Sequence, residues 1–201
     1  MNPIYWQGLA LGGSLIIAIG AQNAHVLRMG LLRRHALLTA AICALCDIVL
    51  IALGLLGMGA LLAASPLLLA AARWGGAAYL SWYAIGSLRA AFKPAALDTA
   101  AGTGAGSRRQ ALLAALSFSL LNPHVYLDTV LLLGSVGGRY DAMARLQFGL
   151  GAMSASLLWF FGLAMAARTL APWLARPVVW RMLDALTAMT MFGLAVLLLQ
   201  S

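Results

Sequence analysis

The stretch Leu121-Asn122-Pro123-His124-Val125-Tyr126-Leu127-Asp128 interrupts an otherwise apolar run from about Ala111 to Val136. Hydroxyls aside, Asn122, His124 and Asp128 are the only strongly polar side chains in that run. A run of this length can cross a bilayer as a helix, and an aspartate at the centre of such a helix costs about 2.5–3.5 kcal/mol on insertion scales. Ionisable groups kept at that cost tend to line a polar pathway. Pro123 adds a second signal: it has no N–H and clashes with the preceding turn, which frees carbonyls for a ligand or a neighbouring helix. The stretch therefore predicts a broken or kinked span. A kink without a ligand is the plainer reading of Pro123 alone, and Asn122 or His124 alone reads equally well as a partner for a neighbouring helix. Asp128 has no packing role to fall back on, so function is its expected reading.

The rest of the chain is of the same character. Its 201 residues are 63% hydrophobic and only 9% charged, with mean hydropathy +0.93, whereas a soluble domain carries about 25% charged residues. That composition predicts an all-α polytopic membrane protein embedded in a lipid bilayer, with no room for a soluble catalytic domain, so no enzyme is expected. No cofactor or metal is expected either. A net charge of +8 and a pI near 10.5 do not point to nucleic acid, because no basic, aromatic-interleaved face is present. The arginines fall between apolar runs, where membrane topology accounts for them.

Runs long enough to span lie at Ile4 to Leu27, Ala36 to Ala63, Pro66 to Leu88, Ala111 to Val136, Leu146 to Ala167 and Val178 to Gln200, which predicts about six transmembrane helices. The last is the least regular, because Arg181 and Asp184 sit in its first turns and must reach the interface. The first is too long for the apolar core of a cleavable signal and has no Lys or Arg before it, so it is expected to stay as a span. A single long connector, residues 90–109, is rich in Ala, Gly and Thr and divides the chain into a first half, 1–89, and a second, 110–201. Ten of the thirteen Lys and Arg fall in the first, third and fifth links. The positive-inside rule then places the connector in the cytoplasm and both ends of the chain outside.

Halves with three spans each must lie in opposite orientations, the arrangement of inverted-repeat transporters. Asn23-Ala24-His25-Val26 in the first run matches Asn122-Pro123-His124-Val125 in the fourth, three identities in four. That is a faint trace of duplication at the point where a discontinuous helix would meet a substrate. Gly20, Gln22 and Asn23 offer a loosened turn and two amides at the first copy. Close helix packing through Gly8, Gly12, Gly13 and Gly20 is the competing account. Asp47 stands near the centre of the second run and reads like Asp128, with an ion pair to Arg73 as the alternative. Tyr79, Trp82, Tyr83, Trp159, Phe160 and Phe161 read as lipid-facing or interfacial aromatics before they read as a cation cage. Cys43 and Cys46 have redox spacing but equally the habit of small buried hydrophobes.

Gly8-Leu9-Ala10-Leu11-Gly12, Gly20-Ala21-Gln22-Asn23-Ala24, Asp47, Trp74-Gly75-Gly76 and the run from Leu121 to Thr129 with Leu133-Gly134-Ser135 resemble the LysE family of bacterial amino-acid exporters, most of all its arginine-exporter branch. The resemblance covers nearly the whole chain. It implies export of L-arginine, with lysine or canavanine as further substrates, across the bacterial inner membrane, driven by the electrochemical gradient. It also matches Asp47 and Asp128 to the branch's intramembrane aspartates, and Asn122-Pro123 to its fourth-helix motif. The prolines that usually flank the helix-one glycine are absent here, where the sequence reads Ala18-Ile19-Gly20-Ala21.

A site for arginine needs carboxylates for the guanidinium and donors for the carboxylate. Asp47 and Asp128 are the expected acceptors, with the Asn122-Pro123 break and the Gln22 and Asn23 amides at the other end. A carboxylate away from water can trade a cation for a proton, so either aspartate could couple export to proton entry by antiport, with His124 able to share the proton. An exporter of another amino acid, a thiol oxidoreductase using Cys43 and Cys46, and an assembly subunit stand as rivals. Glycine-lined faces permit a homo-oligomer without requiring one.

Overall fold

The computed structural model describes residues 3–17, 20–58, 66–92, 107–174 and 177–200. Most of the predicted connector, including Lys93 and Pro94, lies outside the described residues, as do Ala18, Ile19, Arg176 and the side chains of Arg73, Tyr83, Pro123, His124 and Asp184.

The elements are helical throughout the described residues. The first predicted run divides into α1 (Pro3–Ile16) and α2 (Ala21–Leu31), and the second forms α3 (Ala36–Leu53), which ends in a widened π turn over Gly54–Met58. Next comes α4 (Pro66–Phe92). The fourth predicted run divides into α5 (Arg108–Leu120), a single turn α6 (Pro123–Tyr126), a π segment Leu127–Leu133 and a closing turn α7 (Gly134–Gly137). The chain ends in α8 (Ala142–Leu174) and α9 (Pro177–Gln200).

Local chemistry sets several of these boundaries. A capping box starts α5 three residues before the apolar run: the Gln110 N–H donates to Ser107 Oγ at 3.3 Å, and the Ser107 N–H donates to Gln110 Oε1 at 3.0 Å. The two bonds satisfy donors that the first turn would otherwise leave open. At the far end of α2 the Arg34 N–H donates to the Met29 carbonyl and the Arg33 N–H to the Gly30 carbonyl, the paired bonds of a Schellman cap. That cap needs a left-handed residue, and here Arg33 supplies it with φ 52°. Gly57, at φ 95°, fills the same backbone region at the end of the π turn after α3.

Small residues bring the helices together. Gly8 meets the backbone of Phe148, a Cβ on Gly12 would come within 2.9 Å of Ala152 Cα, and Gly151 meets the Tyr5 carbonyl, so α1 lies against α8. Gly30 brings α2 onto Ala167 of the same helix. Gly54 and Gly134 press the end of α3 against the start of α7, with a Cβ on Gly134 falling 2.7 Å from the Gly54 carbonyl oxygen. The middle of α3 packs on α8 and on α5, and α4 pairs with α9 through Ala77, Leu80, Ala84, Met191 and Ala195. For Gly8 and Gly12 the packing account is therefore correct.

Polarity is arranged inside out. Leu56, Trp74, Trp82, Leu158 and Met165 are exposed, while Gln22, Asn23, Asp47, Ser119, Asn122, Thr129 and Ser156 are buried. Water as the surrounding solvent would select the reverse. Ala36–Gly57 and Ala142–Thr169 are each long and apolar enough to cross a membrane.

Candidate functional site

The sequence predicts a broken span at Pro123 and, more faintly, a loosened turn at Gly20, and the described residues show helices interrupted at both. Between α5 and α6 the helix stops at Leu120, and Pro123 opens the next turn, where its missing N–H costs nothing. Between α1 and α2 the break occurs without proline: Gly20 stands in extended conformation, φ −123° and ψ −179°, immediately before Ala21. The break in helix one thus rests on Gly20 and on side chains that take over what the backbone gives up.

That takeover is similar at both places. Asn23 Nδ2 donates to the Ile16 carbonyl at 2.9 Å, tying the start of α2 to the end of α1. The Tyr126 hydroxyl donates to the Leu120 carbonyl at 2.9 Å, tying α6 to the end of α5. Each bond satisfies a carbonyl that an unbroken helix would have used internally. Asn23 is itself held from across the bundle, because Trp159 Nε1 of α8 donates to its Oδ1 at 3.1 Å.

Asp47 lies beside the first break, only 2% exposed. Ser156 Oγ of α8 donates to Asp47 Oδ2 at 2.9 Å, and Gln22 Nε2 of α2 donates to Oδ1 at 3.4 Å. The same Gln22 nitrogen donates to Ser119 Oγ of α5 at 3.0 Å. Four helices therefore converge on one carboxylate, and its hydrogen-bonding neighbours are neutral groups. A buried charge requires such donors to persist. The Arg73 partnership weighed for Asp47 involves a side chain outside the described residues.

Asp128 is the second residue of the π segment, is half-buried, and stands on a segment that packs against α3, the helix of Asp47. A π turn carries one extra residue per turn and recurs at functional sites, and here it follows the Asn122-Pro123 break directly. Asn122 is buried at the head of α6. The site thus brings Gln22, Asp47, Ser119 and Ser156 into one network, with Asn23 bonded separately to Ile16 and Trp159 beside it and Asp128 on the π segment that packs against α3. The side chains of Pro123 and His124 lie outside the described residues.

Gln22 and Asn23, grouped by the sequence at the carboxylate end of a substrate, divide their work. Gln22 faces Asp47, and Asn23 secures the helix break. Ser119, Ser156 and the indole N–H of Trp159 escape sequence reasoning, since hydroxyls are common in membrane helices and Trp159 stands in an aromatic run. Their only signal is spacing: Ser156 and Trp159 share a helix face with buried Phe160. Trp82 points outward, consistent with a lipid-facing aromatic. Cys43 and Cys46 are buried, free thiols against Ser119, a setting in which thiols are inert.

A family model described as LysE type translocator matches residues 13–201. A putative amino-acid transporter from Aeromonas salmonicida is 47% identical over 94% of this chain and 92% of its own length. Arginine exporter proteins from Yersinia enterocolitica and Serratia proteamaculans are 44% and 45% identical, each over 97% of this chain and 95% of its own. No solved structure matches the chain.

Proposed function

Because this chain belongs to the LysE type translocator family, a family of membrane transport proteins, we propose that it exports L-arginine from the cytoplasm across the bacterial inner membrane. The names of its relatives support the substrate. The observation that carries the mechanism is Asp47, a buried carboxylate held by neutral donors beside a broken helix. A stranded charge of this kind is expensive unless a cation passes beside it.

In this reading Asp47 and Asp128 receive the guanidinium in turn, and the Asn122-Pro123 break takes the substrate's carboxylate. Two carboxylates on segments that pack together gain from a cation that passes between them. When the cation departs, a proton can replace it, which makes export an exchange for proton entry.

Alternation is a rocking of two inverted three-helix halves, 1–89 and 110–201, joined by a cytoplasmic connector. Packing supports it. In each half the first helix breaks next to an asparagine, Asn23 or Asn122. The second helices of the halves, α3 and α8, meet at the centre, and the third, α4 and α9, pair outside them. Each broken helix lies on the second helix of the other half: α1 and α2 on α8, α5 and the π segment on α3.

The reading is tested in cells that lack an arginine exporter of their own. Loaded with labelled arginine, cells carrying this chain should lose label faster than empty-vector cells and should tolerate canavanine. Asp47→Asn or Asp128→Asn should return both measures to the vector level. Protection against lysine or threonine analogues without protection against canavanine would assign a different substrate, and undiminished efflux would remove both aspartates from the mechanism.

A further inference from the structure

Within the arginine reading, on which this inference rests, the network around Asp47 has a property that a general cation site does not require. Ser156 donates to Oδ2, and the other oxygen, Oδ1, accepts from Gln22. Gln22 brings a single planar amino group to that oxygen and to Ser119 Oγ together, at 3.4 and 3.0 Å. We propose that Asp47 Oδ1 and Ser119 Oγ form a subsite for one edge of the substrate's guanidinium, which the Gln22 amide fills when no substrate is bound.

The chemistry of the two groups supports the substitution. A carboxamide NH2 and the terminal NH2 of a guanidinium are both planar and offer two donors at a fixed angle. An ammonium is a compact, strongly hydrated point charge without that plane. The longer of the two Gln22 bonds is the one to Asp47, so the amide is anchored mainly on Ser119. A charged guanidinium makes the stronger bond to a carboxylate and displaces the amide there first. Until then the amide keeps Asp47 satisfied in a site closed to water. Gln22 is thus a competitor of the substrate, and Ser119 a group that recognises it.

The two residues should consequently shift apparent affinity in opposite directions. Purified protein reconstituted in liposomes, with labelled arginine efflux followed over a concentration series, reads this out. Ser119→Ala should raise the arginine KM about tenfold with little change in kcat, the signature of lost binding to a charged ligand. Gln22→Met, which keeps the length of the side chain and removes its donor, should lower the KM about threefold. Thermal unfolding in detergent reports separately on folding, and a merely structural pair would lose kcat or stability together without opposed KM shifts. KM values that move in the same direction, or that stay put, overturn the subsite while leaving arginine export in place. Wild-type liposomes that carry no arginine overturn the export reading and the subsite with it.

Discussion

Ser156 Oγ lies 2.9 Å from Asp47 Oδ2, a bond between α8 and α3 that joins positions 109 residues apart. It fixes the orientation of the carboxylate and ties α8 to α3. Hydrogen bonds to charged groups contribute about 1.5–3 kcal/mol. Ser156→Ala should lower the unfolding free energy in detergent by about that amount. In an Asp47→Asn background the same change should cost less, giving a coupling of at least about 0.5 kcal/mol in a double-mutant cycle. Strict additivity would show that the bond contributes nothing.

Gly54 and Gly134 mark where α3 and the segment after the second break cross with backbone in contact. A Cβ on Gly54 would sit 2.7 Å from the Thr129 carbonyl oxygen and 2.9 Å from Val130 Cα. Gly54→Ala must separate the helices, and overpacking of this kind costs about 1–3 kcal/mol. Gly86 and Gly162 have nothing within 4 Å of such a Cβ, so alanine there should be neutral or stabilise by about 0.5–1 kcal/mol. Equal melting temperatures for Gly54→Ala and Gly162→Ala would contradict the crossing.

Arg33 adopts φ 52° at the end of α2, a conformation that costs a residue with a Cβ about 1–2 kcal/mol. Arg33→Gly removes that cost and keeps the paired bonds of the cap. Its unfolding midpoint should rise, and a fall would show that the Arg33 side chain stabilises the link by more than its backbone strain.

Cys43 and Cys46 border the network without being needed by it. The variant carrying both Cys43→Ala and Cys46→Ala should export arginine within about twofold of wild type, given that buried thiols are unreactive. Loss of export with the fold intact would bring thiol chemistry back into the mechanism.

Much of this was legible in the sequence because cost was legible. An aspartate in an apolar run, or a proline in the middle of one, conflicts with its surroundings, and Asp47, Asp128 and the break at Pro123 follow from that conflict. The first break was harder to read. Nothing in Ala18-Ile19-Gly20-Ala21 forbids a helix, and the break depends on Asn23 reaching back to Ile16 and on Trp159 holding Asn23 from another helix. Ser119 and Ser156 were illegible for a related reason: a serine is cheap in a helix, and only tertiary packing turns it into a partner for a carboxylate. The start of α5 lay in plain view as Ser107 and Gln110, three residues apart, but outside the apolar run.

The most direct test of the account is arginine flux through liposomes containing only this protein, with the pH gradient varied and Asp47→Asn measured beside the wild type. The account predicts flux in the wild type that responds to the gradient, and Asp47→Asn reduced to the background of empty liposomes. Flux through Asp47→Asn equal to that of the wild type would contradict it.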